Sequence, residues 1–122
     1  MATLTPTLTL VSTDMTTDSL NLSVTDSLSV LGTVVQKRIA TSTTAAVFLA
    51  ASDYSKSYLY LKNLSSTAAE RIDIRATTGG TDIIQLGAGE WTFMPWAGSH
   101  DLAYDAASGT PVLEVMLFQE AA

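Results

Sequence analysis

Cysteine is absent, so the chain has neither a disulfide framework nor a thiolate site. There is one histidine, His100, whereas metal or acid–base chemistry calls for several convergent side chains. Charge is scarce: 15% of residues carry it, against about 25% in an average soluble domain. Only six residues are basic, and the net charge is −6. So few cations cannot hold nucleic acid through its phosphates, and an anionic membrane would repel the chain. No apolar run approaches the roughly 20 residues of a membrane-spanning helix. The opening Met1-Ala2-Thr3-Leu4-Thr5-Pro6 lacks the basic and apolar blocks of a signal peptide. These absences predict synthesis and assembly in a cytosol, with no nucleic acid, no membrane and no cofactor or metal.

What fills the 122 residues is hydrophobic, serine, threonine and alanine. A chain this long supports one core. A surface rich in Ser, Thr and Ala suits a protein that lies against other protein. Residues 3–12 alternate apolar and polar, with Leu4, Leu8 and Leu10 on one side and threonines between. Period 2 predicts a strand. Pro6, which cannot donate a ladder hydrogen bond, makes it an edge strand or an arm. After a turn at residues 13–18, Thr17-Asp18-Ser19-Leu20 recurs as Thr25-Asp26-Ser27-Leu28. Each copy predicts a short strand opened by an Asp-Ser turn, the first carrying Leu20 and Leu22.

Residues 33–41 read as a strand with Lys37-Arg38 as a solvated edge pair, and residues 43–52 as a strand leading into a turn. In residues 57–65, Leu59 and Leu61 point one way while Tyr58, Tyr60 and Lys62 point the other. In residues 71–75, Ile72 and Ile74 are expected in the core, with Arg71, Asp73 and Arg75 on the surface. Gly79-Gly80 predicts a turn with positive φ. Residues 82–86 and 102–106 follow as strands. The last strand, residues 112–119, has Leu113, Val115 and Leu117 on its core face. Its other face, with Met116 and Phe118, is nearly as apolar. The pattern predicts an all-β fold: an antiparallel β-sandwich, jelly-roll-like, with an extended N-terminal arm. Residues 1–32 would be the arm with short strands and residues 33–122 the sandwich body.

Both tryptophans lie in Leu86-Gly87-Ala88-Gly89-Glu90-Trp91-Thr92-Phe93-Met94-Pro95-Trp96. Gly87-Ala88-Gly89 predicts a hairpin turn. Neither a P-loop Lys-Ser/Thr nor G-x-G-x-x-G opening a helix follows the glycines. Trp91 and Phe93 are expected to anchor the core. Trp96, beyond Pro95, is expected to meet a partner. His100 stands beside Asp101, four residues before Asp105, and a metal there would need Glu90 as well. A solvated turn histidine is the simpler account. No G-x-S-x-G elbow is present, so the chain is not expected to be an enzyme. Tyr58, Tyr60, Trp91 and Trp96 could form a sugar platform, though core or interface roles are commoner for such residues.

The Thr-Asp-Ser-Leu units resemble the small repeats of trimeric phage fibres. The order Tyr58-Leu59-Tyr60-Leu61-Lys62-Asn63, Gly79-Gly80, Ile83-Ile84-Gln85-Leu86, Gly89-Glu90-Trp91 and Leu113-Glu114-Val115-Met116-Leu117-Phe118 resembles small virion proteins of tailed phages. The resemblance implies a capsid decoration (cement) protein, or a fibre, spike or tail component with a possible glycan ligand. Its implied partners are the major capsid protein and further copies of the chain, a trimer favoured over a dimer. It supplies no catalytic residues. The candidate interface comprises Leu4, Leu8, Leu10, Leu20, Leu22, Trp96, Met116 and Phe118.

Overall fold

Alternating apolar and polar residues, broken every ten or so positions by Gly, Pro, Asp or Ser, leave strands as the regular structure open to this chain. The structure, a computed structural model, describes residues 1–15 and 20–121. The fold is all-β and antiparallel. Eleven strands and no helix occur among the described residues. The chain divides into two units, Met1–Gly32 with Ala121, and Thr33–Glu120.

In the first unit, β1 (Ala2–Leu4) pairs with the opening of β4 (Leu28–Ala40), and β2 (Thr7–Ser12) pairs with β3 (Leu20–Thr25). The two registers are one. Ala2↔Val30 to Leu4↔Leu28 continues without a slip into Thr7↔Thr25 to Ser12↔Leu20. The break between them falls at Pro6. Its carbonyl accepts the Asp26 N–H at 3.2 Å, but with no N–H of its own it cannot return the bond. Residues 2–12 and 20–30 therefore form a single antiparallel ribbon. Thr17-Asp18-Ser19 of the first repeat lies outside the described residues. In the second copy, Asp26-Ser27 separates β3 from β4, and Leu28 opens a strand as expected. That strand does not begin at residue 33; it runs through Gly32 to Ala40.

The second unit holds two four-stranded arrays. One has the order β4-β11-β6-β9, with β6 at Ser57–Asn63, β9 at Trp91–Trp96 and β11 at Val112–Glu120. The other has the order β5-β10-β7-β8, with β5 at Ala46–Leu49, β7 at Ile72–Arg75, β8 at Asp82–Leu86 and β10 at Leu102–Ala106. Their inward residues form one cluster. Leu59 and Leu61 of β6 stand in register with Leu117 and Val115 of β11, and Ile72, Ile74, Leu86 and Leu102 join them from the second array. All are 6% exposed or less. Burying each large aliphatic side chain stabilises the fold by about 1.5–3 kcal/mol. The core face expected for β11 is the observed one, as is the inward placement of Ile72 and Ile74.

The turn at Gly87-Ala88-Gly89 is not a hairpin. β8 and β9 belong to different arrays, so this turn carries the chain from one to the other. Gly89 takes φ 76°, a left-handed conformation that glycine adopts without steric cost. Its N–H donates to the Asn63 carbonyl at 3.0 Å. The loop containing Gly79-Gly80 does join paired strands, β7 and β8, but neither glycine has positive φ. The Gly80 N–H closes that loop onto the Thr77 carbonyl at 3.1 Å.

Candidate functional site

Residues directly opposite in an antiparallel pair share a face. In the ribbon, Leu8↔Val24, Leu10↔Leu22 and Ser12↔Leu20 lie on one face, while Thr7↔Thr25, Thr9↔Ser23 and Val11↔Asn21 lie on the other. One face is leucine and valine; the other is chiefly threonine, serine and asparagine. On the apolar face Leu8, Leu10, Leu20, Leu22 and Val24 remain 36–50% exposed. Leu4, paired with Leu28, extends the same alternation beyond Pro6, and both are half-buried. Five predicted interface leucines thus fall on one ribbon, four of them in one exposed cluster. Val24 belongs to that cluster and was missed. The alternation Leu20, Leu22, Val24 was the signal that could have found it.

Met116 and Phe118 lie on the side of β11 turned away from the core. Their register partners are Tyr60 and Tyr58 of β6, and the partners of those two on β9 are Phe93 and Pro95. The next row is Glu114, Lys62 and Trp91. This outer face is therefore a grid of aromatic and sulfur-bearing side chains. Tyr58 and Phe93 stack diagonally, with ring centroids 6.4 Å apart and planes within 9°. Charge lies at its margins. Arg38 donates to Glu114 at 3.1 Å, and Lys56 to Glu120 at 3.3 Å. The Tyr58 hydroxyl donates to the same Glu120 oxygen at 3.1 Å. Burial, reinforced by the Glu114 charge, raises the Tyr60 phenol above its ordinary pKa of 10.0. The hydrogen bond to Glu120 raises the Lys56 ammonium in the same direction.

Trp96 is not on this face. It is 8% exposed and belongs to the core cluster, whereas Trp91 is 56% exposed. The expected roles of the two tryptophans are exchanged. The reason is Pro95, which does not end the strand. β9 is an edge strand with β6 as its one neighbour, and there a residue without an N–H is tolerated. Alternation thus continues through Pro95. Met94 and Trp96 turn inward, and Trp91, Phe93 and Pro95 turn outward. Trp96 is withdrawn from the candidate interface, and Phe93 and Trp91 take its place.

The outer side of the other array is charged and internally satisfied. Asp73 stands opposite Asp105 on β10, a repulsive pairing on its own. Arg71 grips Asp73 with two bonds, of 2.9 and 3.1 Å. Arg75 bridges Asp82 at 2.5 Å and Asp105 at 2.7 Å. Hydrogen bonding to Asp73 and to Asp82 raises the pKa values of Arg71 and Arg75, respectively. Asp73, expected on the surface, is 4% exposed beneath Arg71.

No cluster of three metal-ligating side chains occurs among the described residues. His100 is exposed in a turn, and its neighbour Asp101 accepts the Ala51 N–H at 2.6 Å. Asp101 therefore fixes the β9–β10 connection onto the one after β5. Glu90 accepts the Gly87 N–H at 2.5 Å and closes the turn before β9. A hollow of about 390 Å³ beside Met116 is lined by Gln36, Lys37, Arg38 and Glu114, and Arg38 and Glu114 are joined there in an ion pair. Asn63, fully buried, has a structural task. Its amide donates to the Glu70 carbonyl at 2.8 Å and the Leu86 carbonyl at 3.0 Å, and its side-chain oxygen accepts the Ser65 N–H at 3.0 Å. The distinctive surfaces are thus two partly open apolar faces.

No family model, curated protein or solved structure matches the chain.

Proposed function

We propose that the chain is a virion structural protein of the capsid decoration (cement) type. It would sit on the outer capsid and stabilise contacts between capsomers, in a non-catalytic role without a cofactor. Residues 33–122 would be a jelly-roll-like β-sandwich body and residues 1–32 an N-terminal arm. Chain crossings between the two arrays at β4–β5, β5–β6, β6–β7, β8–β9, β9–β10 and β10–β11 support the sandwich reading. The observation that carries the function is the ribbon. Its leucine face stays open, and a two-stranded ribbon is marginal alone in water. Such an element is built to be completed by other protein. The partners would be the major capsid protein and sister copies, in a trimer rather than a dimer. The chain would be made in the host cytoplasm and end on the capsid surface.

The test is the position and copy number of the chain in a purified particle. Many copies over the shell are expected, and removal of residues 1–32 should abolish retention on capsids. A truncated chain that binds normally would refute the arm's role. A handful of copies at one vertex would select a fibre, spike or tail component. The exposure of Trp91 beside Lys62 gives that second reading its one support, as a stacking surface for a host glycan. Glycan-array binding lost in Trp91→Ala would favour it.

A further inference from the structure

We propose that the leucine face of the ribbon is covered by a second copy of this chain, seated on the aromatic outer face of that copy's β11-β6-β9 strands. This deepens the decoration reading by naming which surfaces join subunit to subunit, and it also stands without that reading.

Three observations favour this occupant. The chain carries two apolar faces that its own described residues leave partly open: the Leu8-Leu10-Leu22-Val24 cluster, and the Tyr60-Phe93-Met116 row with Trp91 beside Phe93 in the next row. One is aliphatic and the other mainly aromatic, a pairing that gains from area burial. The charges are complementary as well. Residues 1–32 contain three aspartates and no Lys or Arg. Around the aromatic face stand Arg38, Lys56 and Lys62 against Glu114 and Glu120, so cations are in excess there. The remaining outer surface, over β7, β8 and β10, is occupied mainly by closed Arg–Asp bridges, and Ile83 of β8 is the one large apolar side chain it leaves exposed among the described residues.

Size argues against two ribbons simply packing on each other. Six paired residues extend about 20 Å, and two strands about 10 Å across, a patch on the order of 200 Å². That is well short of the roughly 800 Å² per partner of a stable interface. When each copy both gives its ribbon and receives one, two such contacts form per chain, about 400 Å² of apolar patch, and the flanking sheet surface must supply the rest. A closed exchange of this kind leaves no apolar face open.

The absence of native cysteine makes the test direct. Full-length Leu22→Cys, Phe93→Cys and Gln85→Cys variants are prepared singly, checked for an unchanged thermal transition, mixed in pairs and treated with a short bismaleimide. A covalent two-chain product is expected from Leu22→Cys with Phe93→Cys, and none from Leu22→Cys with Gln85→Cys. Equal product in both mixtures overturns the proposal. So does a strong product from Leu22→Cys alone, which would mean ribbon on ribbon. Should Phe93→Cys fail the folding check, the exposed Trp91→Cys replaces it. Separately, Leu22→Asp should reduce the solution mass from an oligomer to the 12.9 kDa of one chain, with the unfolding transition of residues 33–120 unchanged. A native chain already at 12.9 kDa also overturns it. Cross-linking as expected, with no copies found on particles, would remove the decoration reading and leave the exchange standing.

Discussion

Trp91 and Trp96 begin and end the same strand and face opposite ways, one 56% and the other 8% exposed. Their odd offset along the strand requires this once the strand is continuous. The stretch that looks most like an active site is a sheet element instead: Trp96 anchors the core and Trp91 marks the rim of an aromatic face.

Trp96→Ala should therefore lower stability by about 3–5 kcal/mol, through lost burial and the cavity left behind. Trp91→Ala, as an exposed substitution, should stay within about 0.5 kcal/mol. Urea unfolding of the two variants decides it. Equal losses would mean that alternation does not pass through Pro95.

The second prediction concerns Asn63, whose amide ties the β6 end to both the Glu70 and Leu86 backbones. Asn63→Leu would remove the donors to two carbonyls and the acceptor of the Ser65 N–H, at about 1–3 kcal/mol for each group left buried and unsatisfied. A loss of about 2–5 kcal/mol is expected, with faster amide exchange in residues 64–70 and 86–90. A loss under about 1 kcal/mol would show that water replaces the side chain.

Much of this was legible in the residues. Strict alternation located the ribbon leucines and the inward faces of β6, β7 and β11, because one buried face per strand imposes period 2. What alternation cannot carry is which strand pairs with which. β6 lies between β9 and β11, both more than twenty residues away in sequence, and no local signal encodes that order. The tryptophan assignment failed for a related reason. Proline ends a central strand but not an edge strand, and edge position follows from sheet order. Asp73 was misplaced because its burial depends on Arg71 folding over it, a side-chain event invisible to periodicity.

A third prediction follows from Asp73 and Asp105 standing in register. Arg75→Gln would leave Asp82 and Asp105 without their shared cation, so the melting temperature should fall, and fall further at low salt. Arg75→Gln with Asp105→Asn should recover part of the loss. A double variant no better than the single would show that charge repulsion is not what Arg75 relieves.

The fourth prediction is a pH dependence at Tyr60. Burial and then Glu114 favour its neutral phenol, so its pKa in the folded chain lies above the unfolded value of 10.0. A group with a raised folded pKa contributes stability that is fully present below the unfolded pKa. That contribution is lost as pH rises through the folded value. Stability should thus begin to decline above pH 10.0 as the unfolded chain ionises first. Tyr60→Phe should remove this part of the decline. Absorbance titration of the tyrosinate band gives the matching signature: the component lost in Tyr60→Phe should ionise above pH 10.0. The same variant leaves the apolar grid on β6 intact, so solution mass should not change. If Tyr60 instead titrates as an ordinary phenol and the alkaline decline is unaltered, the outer face is more hydrated than its neighbours Phe93 and Met116 imply, and its fitness as a docking surface fails with it.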